Sequence, residues 1–241
     1  MPVRDIYINI APTMLNKIKG LLKELGALNA ALYALHIALS KATAGGARIE
    51  RFLLVAQPVS PGPRLAPSRS KGTEIRRVEP GDALLSQFPR PEAVIADRYR
   101  QGAICLAVVK GEQVQGYLWL IQKGYDEDVA RVRFVLPASG RAAWDFDVYV
   151  APEFRLGFTF VKLWDAADAY LRERGIRWSM SRISLFNAGS LASHGRLGAA
   201  PIGTATFIIL GPAQIMAVPR WPFISLSWGN TRPALNLLEP S

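Results

Sequence analysis

Residues 144–199 switch repeatedly between two hydrophobic periods, and this restricts the possible folds more than any other part of the chain. The run Trp144-Asp145-Phe146-Asp147-Val148-Tyr149-Val150 alternates as a strand does and stops at Ala151-Pro152. The turn 153–157 opens a long amphipathic stretch that ends in Arg172-Glu173-Arg174-Gly175. A second strand is predicted over 176–183. Asn187-Ala188-Gly189-Ser190 then opens another helix, closing at Arg196-Leu197-Gly198-Ala199. A strand that feeds a turn and a helix start is a natural anion site, because the first backbone N–H groups lack partners and the helix dipole is positive there.

The same residues resemble a known family. Val150-x-Pro152-Glu153-Phe154-Arg155, Arg174-Gly175-Ile176, and Asn187, Ser190, His194, Leu197 and Gly198 at their spacing are similar to the GNAT superfamily of acyl-coenzyme A N-acyltransferases. Glu74-Ile75-Arg76-Arg77-Val78-Glu79-Pro80-Gly81-Asp82 resembles the opening strand and turn of that fold. A hairpin follows, with strands over 104–109 and 114–121 around Lys110-Gly111-Glu112. The resemblance covers residues 73 to 210. It implies an α/β (α+β) fold: a GNAT-like mixed, mostly antiparallel central sheet flanked by helices, preceded here by an N-terminal amphipathic helix.

Half of the 241 residues are hydrophobic and 20% are charged, so a folded globular chain is expected. A single cysteine, Cys105, excludes an internal disulfide and a cysteine-based zinc cluster, and its apolar neighbours mark a core thiol. His36 and His194 are the only histidines, so no metal is expected. The net charge of +10 suits nucleic acid, an anionic membrane surface, an acidic acyl carrier protein, or the phosphates of coenzyme A. The basic residues are scattered, however, as on a solvated face, and no reading helix or aromatic–basic stripe points to nucleic acid. Residues 1–13 do not read as a secretory signal, so the cytoplasm is the expected compartment, with the inner membrane face as the variant.

Ile18, Leu21, Leu25, Leu28, Leu32, Leu35 and Leu39 recur at spacings of three and four, with Lys17, Lys19, Lys23, Asn29 and His36 off their seam. Three readings stay open: packing on the parent domain or in a homodimer, lying in a membrane interface, or a true span. Segments are expected at 1–57 (helix and a strand over 51–56), 58–72 (a proline-rich linker), 73–211 (the acyltransferase-like domain) and 212–241 (an aromatic, apolar extension). Residues 82–101 read as short helices broken near Pro89 and Pro91. Asp126-Glu127-Asp128 reads as a solvated hairpin turn.

The resemblance also implies a chemistry. Acyl transfer to an amine needs a neutral amine, a donor to the thioester carbonyl, and a proton for the leaving thiolate. Backbone N–H groups near Tyr149 and Val150 would face the thioester carbonyl. The turn Arg155, Leu156, Gly157, Phe158, Thr159, Phe160 would hold the pyrophosphate of acetyl-CoA or another acyl-CoA. That turn departs from the family pattern, with Phe158 and Phe160 where glycine or alanine is usual, so an acyl carrier protein is an alternative donor. Asp145 and Asp147 would share one strand face, as a general base or as partners of arginines such as Arg131 or Arg133. His194 stands where relatives carry the acid that protonates the thiolate. Asn187 and Ser190 would contact the pantetheine or simply cap a helix. The function expected is an N-acyltransferase with an amine-bearing acceptor. The rivals are a non-catalytic scaffold of the same fold and a membrane-proximal enzyme using long-chain carrier-protein donors.

Overall fold

The computed structural model describes residues 10–70 and 72–240. Helix α1 (Ile10–Ala42) leads into strand β1 (Ala47–Pro58), a proline-rich stretch with a 3-10 turn, and β2 (Glu74–Val78). A second 3-10 turn (Ala83–Gln87) precedes α2 (Glu92–Arg100), the hairpin β3 (Ile104–Lys110) and β4 (Gln113–Ile121), and the short strands β5 (Tyr125–Asp126) and β6 (Arg133–Val135). Then come β7 (Ala142–Val150), α3 (Thr159–Arg172), β8 (Trp178–Ser184) and α4 (Ala188–Arg196). The chain finishes with β9 (Ala200–Leu210), β10 (Ala213–Ala217), β11 (Ile224–Trp228) and β12 (Ala234–Asn236).

Nine strands form one sheet in the order β11-β10-β9-β1-β8-β7-β4-β3-β2, and β12, β6 and β5 form a small second sheet. Within the large sheet only β7 and β8 run parallel. The segments 1–57, 73–211 and 212–241 therefore all contribute strands to one sheet, with β1 inside it between β8 and β9.

Period-two alternation divides the sheet into two apolar faces. One face carries Tyr117, Trp119, Trp144, Phe146, Phe52 and Phe207, covered by Ile95 of α2 and by Tyr125, Phe134 and Leu235 from the small sheet. The other carries Leu106, Val108, Leu118, Leu120 and Ala143, covered by Leu163, Trp164, Ala167 and Leu171 of α3. That helix is strongly amphipathic, which is why its run was readable in the sequence. Cys105 is fully buried on the first face, and burial pushes its thiol pKa well up, as befits a core residue.

Helix α1 lies on the same side as α3. Arg51, alternating with the core residue Phe52, donates to Asn29, and His36 Nδ1 sits 2.6 Å from the carbonyl oxygen of Ile49. The side facing the sheet is thus the one with Asn29, Tyr33 and His36, with Tyr33 and His36 against Phe186. Leu28 and Leu35 of the expected seam point to solvent. Gly26, with a φ of 74°, also breaks the helix, so the leucines before and after it do not form one continuous seam. Among the described residues no helix is long and apolar enough to cross a membrane.

The proline-rich stretch 58–72, expected as a flexible linker, is tied to α3 on its way from β1 to β2. Backbone N–H groups of Arg64 and Leu65 donate to Asp165 at 2.8 and 3.0 Å, and the Arg64 guanidinium binds Asp168. The turn at 125–128 is also not a solvated one. Glu127 is buried, and its carboxylate accepts from both Nε and Nη2 of Arg182, at 2.9 and 2.6 Å.

Gly116 lets α3 approach the sheet. A Cβ there would lie 2.6 Å from the carbonyl oxygen of Tyr149 and 3.0 Å from Cγ2 of Thr159. Because the first of these is backbone, Gly116→Ala should cost about 1–3 kcal/mol. Chemical denaturation of the two proteins measures that loss.

Candidate active site

The parallel pairing of β7 and β8 is short. It joins Ala142, Ala143 and Trp144 to Trp178, Ser179 and Met180, and extends no further. Beyond Trp144, β7 stays with β4 while β8 stays with β1, so the two halves of the sheet part. The parting coincides with a bulge. Trp119 pairs with Phe146, but Tyr117 pairs with Tyr149, so β7 carries one residue more than β4 across this step. Asp147 takes up the excess with a φ of 48°, the left-handed region that an aspartate tolerates better than most side chains.

That single residue inverts the alternation. Before it, Trp144 and Phe146 lie on the α2 face; after it, Tyr149 lies there and Val148 and Val150 turn to the α3 face. Asp145 and Asp147 therefore do not share a face. Asp145 is buried on the α3 side, accepting a 2.6 Å hydrogen bond from Ser179 Oγ. Asp147 points to the α2 side, bound by Arg90 and Arg98, with Tyr117 Oη at 3.4 Å. Its arginine partners come from the segment around α2, not from Arg131 or Arg133. Arg131 instead reaches the carbonyls of Gly211 and Pro212, and Arg133 pairs with Asp126.

A cavity of about 460 Å³ occupies the gap. It brings together Tyr149, Val150, Arg155, Phe160, Asn187, Ser190 and His194, all singled out in the sequence. Ala151 donates to Gln115 on β4 at 2.9 Å, so by alternation the N–H and C=O of Val150 point the other way, toward the gap. Arg155 folds back to bind that carbonyl at 3.2 Å and is exposed. Asn187 caps α4, accepting from the Ser190 N–H at 3.0 Å. Phe160 does not close the gap, because its ring packs edge-on with Trp164 and His194.

The rest of the phosphate turn faces elsewhere. Leu156 is fully exposed. Gly157, Phe158 and Thr159 line a separate hollow of about 260 Å³ at the start of α3, together with Lys110 and Lys162. The guanidinium of Arg69, from the proline-rich stretch, stacks 4.9 Å above the Phe158 ring. On the opposite face of the sheet, Phe146 and Asp147 border a polar cavity of about 440 Å³ with Arg90, Arg98, Asp128 and Arg182.

Burial tunes two groups at the parting. His194 sits among aromatic rings, its Nδ1 is buried without a hydrogen-bond partner, and burial pushes its pKa down to about 4. The ring is thus uncharged at neutral pH, and the proton it offers is that of a neutral imidazole. Asp145 is pushed up to about 7 by burial, against the hydrogen bonds from Ser179 and Ser181. Among the described residues no cluster of histidine, cysteine and carboxylate side chains could hold a metal.

No protein-family model matches the chain, and no curated protein matches it. Solved structures do. A Drosophila protein is similar at 13% identity and a TM-score of 0.47, over 67% of this chain and 51% of its own. A tandem GNAT protein from the clavulanic acid biosynthesis pathway is similar at 17% identity and a TM-score of 0.43, over 68% of this chain and 55% of its own. A GCN5-related glucosamine N-acetyltransferase region of a fungal multi-domain β-N-acetylglucosaminidase is similar at 14% identity and a TM-score of 0.47, over 70% of this chain and 22% of that one. The chain thus spans about half the length, or less, of these three proteins.

Residues that sequence reasoning missed include Ser179, Arg90, Arg98, Arg69 and Lys162. Ser179 and Ser181 alternate on one strand, and two small hydroxyls on a buried face are a usable signal for a buried carboxylate opposite. The arginines gave no such signal, since their partner lies about fifty residues away.

The two shifted groups act on stability in opposite directions. For His194 the unfolded chain takes up a proton below about 6.5 and the folded one only near 4, so its contribution is present above 6.5 and lost as pH falls toward 4. For Asp145 the folded form keeps its proton up to about 7 while the unfolded chain gives it up from 3.8, so its contribution is lost as pH rises through 7. Each amounts to ~3–4 kcal/mol, and the slopes oppose one another between pH 4 and 6.5. Relative to the wild type, His194→Phe should tilt stability downward with rising pH in that window, and Asp145→Asn should tilt it upward. Urea midpoints measured across the window check both signs.

Proposed function

We propose that the chain is an N-acyltransferase that moves an acetyl or longer acyl group from an acyl-CoA thioester to an amine. The observation that carries this reading is the parting of β7 from β8 after the Trp144–Met180 pair, with the backbone of Val150 turned into the cavity it leaves. A pantetheine arm needs a narrow slot beside unpaired strand donors, and this gap offers one. The Val150 N–H would donate to the thioester carbonyl, stabilising charge as it develops there. Arg155 and the start of α3 would take the phosphates.

In the reaction the amine nitrogen forms a bond to the carbonyl carbon, the carbon–sulfur bond breaks, and the amine loses the proton that the sulfur gains. His194 is buried beside the gap and would act on the sulfur side, by hydrogen bonding from its neutral ring. The acceptor would enter from the opposite face, where the bulge borders the cavity of Arg90, Asp128 and Arg182. Asp147, with two guanidiniums on its carboxylate, would fix the bulge rather than remove the amine proton.

A second reading is supported by one observation: Phe158 and Arg69 stand over the turn that would receive the phosphates. A chain of the same fold that binds a thioester without turning it over, or that takes it from a carrier protein, fits that arrangement.

Purified protein with acetyl-CoA or a long-chain acyl-CoA should melt at a higher temperature, and amine panels should release free thiol. His194→Phe should slow thiol release with donor affinity nearly unchanged. Arg155→Ala should weaken donor affinity by about tenfold or more, since it removes a charge-assisted contact from an exposed side chain. Donor binding without thiol release from any amine supports the second reading. Absence of any stabilisation by acyl-CoA or acylated carrier protein sinks both.

A further inference from the structure

The sheet ends at β11 with an edge that no other described strand covers. Its sequence, Ile224-Ser225-Leu226-Ser227-Trp228, carries no charge and no proline, so it lacks the usual devices that keep an edge from pairing. The hydrogen bonds give its orientation. Val218 donates to Phe223 at 3.0 Å and Gly229 to Pro212 at 2.9 Å, so Ser225 and Ser227 turn their backbone groups toward β10. By alternation, Ile224, Leu226 and Trp228 present their N–H and C=O groups to the open edge.

The same three residues are exposed, at 64%, 75% and 68%. Their side chains lie on the side of the sheet that carries α1. Trp228 is opposite Ala213, Leu210 and Ala47 in turn, and Leu226 is opposite Ile215, Ile208 and Ile49. Leu226 and Trp228, with Ile208 and Leu210, border an apolar groove of about 410 Å³. Edge and groove form one surface that lacks both a strand and an apolar cover.

Charge decides between the occupants. In a chain of net charge +10, residues 197–231 contain one charged side chain, Arg220. An anionic bilayer would be met by lysines and arginines around the patch, and hydrocarbon would leave the outward N–H and C=O groups without partners. Two strongly cationic copies, by contrast, can meet closely only where charge is missing.

We propose that β11 pairs with β11 of a second copy, antiparallel about a two-fold axis at Leu226. In that register Leu226 faces Leu226 of the other copy and Ile224 faces its Trp228, so apolar side chains meet on the α1 side. Ser225 faces Ser227 on the other side. The outward N–H and C=O groups of Ile224, Leu226 and Trp228 all find partners, and the two sheets become one.

Sedimentation of the full chain tests this. The wild type should be a dimer. Leu226→Lys, which alters an exposed side chain and sets two ammonium groups face to face on the axis, should abolish the dimer while far-UV circular dichroism stays as in the wild type and unfolding stays cooperative, at a melting temperature that no longer rises with protein concentration. A 1:1 mixture of Leu226→Lys and Leu226→Glu should regain it. Leu226→Cys should oxidise to a covalent dimer, with Cys105 buried and out of reach. A wild-type monomer overturns the proposal, as does a dimer that survives Leu226→Lys. A monomer that binds vesicles of anionic phospholipid also overturns it and returns the surface to a membrane.

Discussion

One extra residue in β7, held in a left-handed conformation and clamped by Arg90 and Arg98, governs the rest of the architecture around the site. A regular strand would have stayed level with β8 and kept its alternation. The bulge bends β7, lets β8 leave after Met180, and sends neighbouring carboxylates to opposite sides of the sheet. Arg98 is itself buried, and although burial works against its charge, Asp147 more than offsets this and holds its pKa above the ordinary value. Arginine suits the place, because a planar guanidinium can span a carboxylate and also lie over the rings of Trp119 and Phe146.

The sheet therefore has two chambers at one level, an aromatic and hydroxyl-lined one on the α3 side and a charged one on the α2 side. A two-substrate reaction benefits from this separation, since each partner is selected by surroundings of different polarity. The low-dielectric side keeps His194 uncharged at neutrality and lets Asp145 hold its proton up to about pH 7, the same physical cause acting on a base and on an acid.

Much of this was legible in the sequence because it is local. The strand, turn and helix pattern of 144–199, the hairpin on either side of Gly111, and the helix break near Pro89 and Pro91 all appear where periodicity and turn chemistry place them. What was not legible depends on single residues or on distant partners. The bulge at Asp147 costs one residue of register and leaves no mark in an alternating string. Gly26 sits inside a leucine repeat and breaks the helix there, yet reads as one tolerated glycine. Glu127 looks like part of an acidic turn until Arg182 arrives from β8 to bury it. The aromatic tail read only as an apolar extension, whereas its strand β11 lengthens the sheet and leaves its own face open.

The position of β1 has a consequence for how the chain folds. Phe52 lies between Ser184 and Ala205, so the middle of the sheet joins segments separated by most of the sequence. Such contacts close slowly, because the entropy of a long loop is lost before any pairing is gained. During synthesis β1 must wait unpaired until β8 and β9 have left the ribosome. Of its two straps, the bond from Arg51 to Asn29 spans 22 residues and can form early against α1, whereas that from Arg64 to Asp168 spans 104 and must itself wait for α3.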